Sequence, residues 1–226
     1  ECGTIIVLDD IKIQYSSCKS FIGNSSPVLK NRTGLHTPSR LSTRYSDKIN
    51  RGFKIFTVNG KGEPKVVDSY DPLMRSDSST EVILDDHPVC ATKYNNCIFD
   101  VSLTRVEQGG KHQFGIYIKV AGTVVVVDDN TLLGIYNSGV SHSWRWGLLG
   151  EISFPNKSEF DKVMIATSHK HSYNLKDSTF GDWIRDTEFG RHICAEQGLR
   201  KKIYNENKVL RVVEDNNKFD NNLVDI

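Results

Sequence analysis

Three short apolar runs that each stop at an Asp-Asp pair constrain this chain more than any other feature. They are Gly3–Leu8 before Asp9-Asp10, Thr80–Leu84 before Asp85-Asp86, and Gly122–Val127 before Asp128-Asp129. Runs this short and rich in Val, Ile and Leu read as buried strands, and an Asp at the end favours a turn because its carboxylate accepts from nearby backbone N–H groups. The flanks do not continue the likeness, so it is shared strand-stop chemistry and not an internal repeat. Nor do the Asp pairs recur with oxygen-rich positions at a calcium-loop spacing, and no metal is assigned to them.

The remaining pattern is also mostly extended. Phe53–Val58 and Pro64–Tyr70, joined across Asn59-Gly60-Lys61-Gly62, read as a β-hairpin. Ile98–Val106 and Phe114–Val120 are expected as a second pair across Gln108-Gly109-Gly110, with Phe114, Ile116, Ile118 and Val120 on one face. Helices are expected to be short and late. Ser158 with Asp161 resembles a capping box before Phe160, Val163 and Met164, and Gly181–Phe189 forms a second helix. Val209–Val213 reads as a last strand, followed by a polar, frayed Glu214–Asn222.

Charge and hydropathy exclude two classes. Lys and Arg number 29 against 28 Asp and Glu, so no basic field is available for phosphate backbones, and nucleic acid is not expected as a partner. The longest apolar runs, such as Val124–Val127, are strand-sized, far short of the roughly eighteen residues a spanning helix needs, so no membrane span is expected.

The five cysteines, Cys2, Cys18, Cys90, Cys97 and Cys194, contain no Cys-x-x-Cys pair and suit no zinc knuckle. Structural disulfides are the expected use, and the odd count leaves one thiol that stays free, pairs with another chain or pairs with a cysteine outside this sequence. Three Asn-x-Ser/Thr sequons, at Asn24, Asn31 and Asn156, add to an expectation of a glycosylated, secreted or extracellular protein. The chain opens at Glu1 and not Met, which fits removal of a signal peptide or a flanking segment.

Catalytic chemistry finds little support. No G-x-S-x-G, P-loop or H-E-x-x-H occurs. His169 and His171 could share a zinc ion on a strand but lack a third ligand, and Cys194 with His192 is better read as a disulfide partner beside a surface histidine. No catalytic residue, cofactor or metal is therefore assigned. Trp144 and Trp146, flanked by His142 and Arg145, are the candidate ligand-binding set. Their aromatic faces could stack on a sugar ring, or the two tryptophans could fill the core.

In order along the chain, Arg51-Gly52 with the strand after it, Tyr70-Asp71, Gly122-Thr123 with Val124-Val125, and Ser143-Trp144 with Trp146-Gly147 resemble the interleukin-like EMT inducer (ILEI, or PANDER) domain family. Lys157-Ser158-Glu159-Phe160 is similar to the segment that opens that family's closing helix. The resemblance covers about residues 50–162. It implies a mainly β fold with short helices (α+β), a compact twisted β-sandwich-like single domain stapled by disulfides, with Gly52 allowing close backbone approach and Trp144 as core anchor. It also implies Cys90 bridged to Cys97 inside an insertion and Cys18 bridged to Cys194.

The domain expectation is an N-terminal strand and exposed glycosylatable loop over 1–49, an ILEI-like core over 50–200 with an insertion at about 72–120, and a C-terminal extension over 201–226. The implied function is a secreted or ectodomain binding protein without catalysis, recognising a protein on cell surfaces. A glycan-binding module is the alternative, and a metal-dependent enzyme follows at a distance.

Overall fold

A computed structural model describes residues 41–58, 64–106, 114–128, 132–135, 147–167 and 173–223. Two short helices open it, α1 (Leu41–Arg44) and α2 (Ser46–Asn50), followed by the hairpin strands β1 (Phe56–Val58) and β2 (Pro64–Val66). The main sheet comprises β3 (Thr80–Ala91), β4 (Cys97–Val106), β5 (Gly115–Val120), β6 (Thr123–Asp128) and β7 (Leu148–Phe154). Then come α3 (Lys157–Val163), the small pair β8 (Met164–Ala166) and β9 (Tyr173–Leu175), α4 (Thr179–Arg185) and the long α5 (Glu188–Leu223).

The five strands lie in the order β3-β4-β7-β5-β6. All pairings are antiparallel except β5 with β7, so the sheet is mixed. The expected β4–β5 pair is absent because β7 enters between them. Residues 72–120 supply three strands of this sheet.

Strand alternation gives the sheet two unlike faces. Phe99, Val101 and Leu103 of β4, Ile116 and Ile118 of β5, and Ile152 and Phe154 of β7 point to one side. There they meet Phe160 and Val163 of α3, Phe180 and Ile184 of α4, and Phe189 and Ile193 of α5. Among the described residues helices thus take the place of the second sheet a sandwich would need, and the fold is mixed α and β. The ring of Phe180 stacks on Trp183 at 5.7 Å and meets Tyr94 edge-on at 5.1 Å, so Trp183 is a described tryptophan packed against this core.

Local chemistry accounts for several ends. Asp128 closes β6 as the strand-stop reading expects: its carboxylate accepts from Leu132 N at 2.9 Å and Leu133 N at 3.0 Å. Asp85-Asp86 does not stop β3; it forms a bulge, with Asp86 at φ +42°, and the strand continues to Ala91. The cap of α3 is Asn156, two residues before the expected Ser158, and its side chain accepts from Glu159 N. Val209–Val213 lies inside α5, whose helix also contains the Glu214–Asn222 segment expected to fray. There the β preference of the valines gives way to helix propagation from a packed first half.

Disulfide stapling is overturned where it can be examined: Cys90, Cys97 and Cys194 are free thiols. In the β3–β4 register Cys90 faces Ile98 and Ala91 faces Cys97. This one-residue offset sends Cys90 to the exposed face and Cys97 into the core, where their sulfurs cannot meet. Cys194 is a free thiol with its Sγ 3.8 Å from Ile135 O, so the Cys18–Cys194 bridge that the resemblance implied is not formed. Cys2 and Cys18 lie outside the described residues, as do Asn24 and Asn31.

Gly181 tests the packing of α4. A Cβ there would stand 2.1 Å from Leu133 O, whereas a Cβ at Gly198 on α5 meets nothing within 4 Å. Gly181→Ala is expected to lower the urea unfolding free energy by about 1–3 kcal/mol. Gly198→Ala should raise it by up to about 1 kcal/mol. Equal effects from the two would contradict this packing.

Candidate functional site

The second face of the main sheet is polar where the first is not. Ser102 and Thr104 of β4, Glu151 of β7, and Tyr117 and Lys119 of β5 point to it, alongside Leu149 and Val124. Lys119 and Glu151 expose only 2% and 4% of their side chains, which makes their pairing obligatory. The Lys119 ammonium lies 2.8 Å from Glu151 Oε2 and donates to Asp47 Oδ1 at 2.9 Å. Arg75 extends the network to Glu151 at 3.9 Å, Asp71 at 3.1 Å, Asp85 at 3.2 Å and Asp86 at 3.8 Å. Ser102 donates to Asp86 Oδ1 at 3.1 Å and accepts from Asp86 N at 2.9 Å, which fixes the β3 bulge.

Burial alone would depress the Lys119 ammonium, but the two adjacent carboxylates outweigh it and hold Lys119 above the ordinary lysine range. Arg75 is raised in the same way, burial being outweighed by Asp71, Glu151, Asp85 and Asp86. Burial pushes the Glu151 carboxyl up, against the pull of Lys119 and Arg75. Lys119 thus stays charged, and the pair supplies specific pairing at a desolvation cost.

The network lies beneath α1, α2 and residues 69–75. Leu73 is fully buried there, its carbonyl accepts from Thr104 Oγ1 at 2.8 Å, and Asp47 of α2 meets Lys119. One sign of it is visible in the primary structure, a single charge in each of two otherwise apolar strands, of opposite sign: Lys119 in Gly-Ile-Tyr-Ile-Lys-Val and Glu151 in Leu-Leu-Gly-Glu-Ile-Ser-Phe.

The same segment presents the hairpin. The α2 helix ends in a Schellman motif, with Gly52 N donating to Ile49 O and Phe53 N to Lys48 O, both at 2.9 Å. Gly52 sits at φ +96° with nothing within 4 Å of a Cβ, so it serves the left-handed turn and not the close backbone approach expected from the resemblance. Beyond it Phe53, Phe56 and Val66 are 56%, 55% and 48% exposed, and Phe56 stands directly across from Val66. Among the described residues neither strand packs substantially on another element. Lys48, Arg51 and Lys54 are exposed around them, and residues 48–58 contain no carboxylate.

His142, Trp144, Arg145 and Trp146 lie outside the described residues, as do His169 and His171. Asn156 is exposed, and its Oδ1 caps α3, which leaves Nδ2 for a glycan. His192 and Cys194, two positions apart on α5, diverge by about 200° around the helix axis. Among the described residues no group of His, Cys, Asp and Glu could hold a metal, and no helix is long and apolar enough to cross a membrane. A shallow groove between Pro88, Cys90, Ile98 and Pro155 has Asp100 as the one charged residue in its lining.

Comparison with protein-family models, with curated proteins and with solved structures returns no match.

Two measurements check this geometry. Lys119→Met, which strands Glu151, is expected to cost about 3–5 kcal/mol in urea unfolding. The double variant Lys119→Met/Glu151→Leu should recover most of that loss, and equal losses would contradict the pairing. The Cys97 thiol is pushed up to about 11, by burial first and then by Glu159. At neutral pH, iodoacetamide should therefore modify exposed Cys90 while Cys97 stays protected until pH approaches that value or the protein unfolds. A Cys90–Cys97 disulfide in a non-reducing peptide map would contradict the β3–β4 register.

Proposed function

We propose that this protein is a non-catalytic recognition domain that binds a protein partner on cell surfaces through the β1–β2 hairpin. The observation that carries the reading is the exposure of Phe56 and Val66, paired across a hairpin that packs on little else among the described residues, with exposed Phe53 just before it. Large apolar side chains gathered this way mark contact surfaces, and aromatic anchors dominate the energy of such contacts. The paired charges support the same reading from the other side: buried Lys119 and Glu151 and half-buried Arg75 spend their bonds on one another and on Asp47, Asp71, Asp85 and Asp86.

The extracellular setting belongs to the proposal. With the described thiols free it rests on the sequons, of which Asn156 is exposed with an amide nitrogen available. The ILEI resemblance supports a cytokine-like or adhesion role in the same sense.

Flow cytometry of intact cells with fluorophore-labelled protein tests the reading. The chain should bind saturably, and Phe53→Ser/Phe56→Ser, which changes only exposed positions, should weaken binding tenfold or more. Full binding by that variant would move the contact elsewhere. Absence of binding by folded wild-type protein would contradict the function, and loss of binding only in Trp144→Ala/Trp146→Ala on a glycan array would favour the sugar-binding alternative.

A further inference from the structure

We infer that the partner binds this hairpin by strand addition, supplying an extended segment rich in carboxylates that pairs with the outer edge of β1. The inference rests on the protein-recognition reading and concerns how that contact is made. Val67 N donates to Ile55 O at 2.9 Å, so Ile55 and Val67 form a hydrogen-bonded pair of the antiparallel ladder. Pairs alternate along such a ladder, and the non-bonded pair Phe56–Val66 turns its backbone groups away from the partner strand. Phe56 therefore directs its N–H and C=O to the outer side of β1, which no described strand pairs, with Lys54 and Val58 in the same phase. Across the hairpin, the open side of β2 contains Pro64, which has no N–H to offer. The β1 edge is the better template.

The other edges are less available. β3, at one margin of the main sheet, is broken by the Asp85-Asp86 bulge and carries Pro88, features that blunt edge pairing. β6, at the other margin, is met by α1 and α2.

Side chains and charge specify the added strand. An apolar residue placed beside Phe56 would cover a ring that is more than half exposed, next to Val66 directly across the hairpin. Lys48, Arg51 and Lys54 are exposed at the approach to this edge, with no carboxylate between residues 48 and 58, while the whole chain carries only +1. Carboxylates on the incoming segment complement them. A lipid surface would suit the cations and the rings, but hydrocarbon offers nothing to the open backbone groups of β1, whereas a peptide strand bonds them.

The test uses the full chain and a fluorescent octapeptide of alternating Glu and Val, followed by anisotropy. Saturable binding is expected, at least tenfold tighter than for the Lys-Val counterpart, weakened at least tenfold by Arg51→Glu/Lys54→Glu, and abolished when alternate peptide nitrogens are N-methylated to remove their donors. Equal binding of the methylated peptide would overturn strand addition, and so would equal binding of the Lys-Val peptide. Binding to phosphatidylserine vesicles that the Glu-Val peptide fails to displace would overturn it in favour of a membrane. If no peptide binds while cells still bind through Phe53 and Phe56, strand addition fails and the recognition reading stands. Loss of both refutes the reading itself.

Discussion

The Lys119 ammonium, held between Glu151 and Asp47, is the contact on which the presented surface depends. It joins a central strand of the sheet, β5, to a helix of the segment that covers it, α2. A buried lysine without both carboxylates would be costly, so the sheet and α2 specify one another. Apolar packing of Leu73 on Tyr117, Val124 and Leu149 adds area, but packing alone does not choose a register as a charged hydrogen bond does. From Asp47 the chain runs through the Schellman turn at Gly52 straight to Phe53 and β1. The lysine therefore fixes where the hairpin starts, and with it the direction in which the exposed rings face.

This division of labour explains the two unlike faces of the sheet. The side facing α3, α4 and α5 is a continuous apolar core that supplies cohesion, with Phe99, Phe154 and Phe180 at its centre. The opposite side supplies addressing. Its charges are few and paired, and the segment they hold carries the apolar residues left outside.

Much of the local structure was legible in the sequence and most of the long-range pairing was not. Alternation through Phe53–Val58 with a glycine-rich turn behind it announced the β1–β2 hairpin, and the carboxylate of Asp128 ended its strand as its position suggested. The order of strands was hidden because β4 and β5 follow one another closely, which invites a hairpin, while β7 reaches the slot between them only through tertiary packing. Cysteine counting failed for a related reason: whether Cys90 and Cys97 meet is decided by a one-residue register that spacing does not reveal. At the candidate site the hairpin could be foreseen, but the exposure of Phe53 and Phe56 could not, since the same rings in the same pattern would serve equally well inside a core. Lys119 and Glu151 left a trace only as lone charges in apolar strands.

Hydrogen–deuterium exchange on the Lys119→Met chain tests the central claim most directly. If Lys119 holds the presenting segment, the bonded amides from Tyr45 to Phe53 lose more protection than those of Phe99, Ile152 and Phe180, which fall only by the global stability lost. Unchanged protection across residues 45–53, or an equal loss at those core amides, would contradict the account.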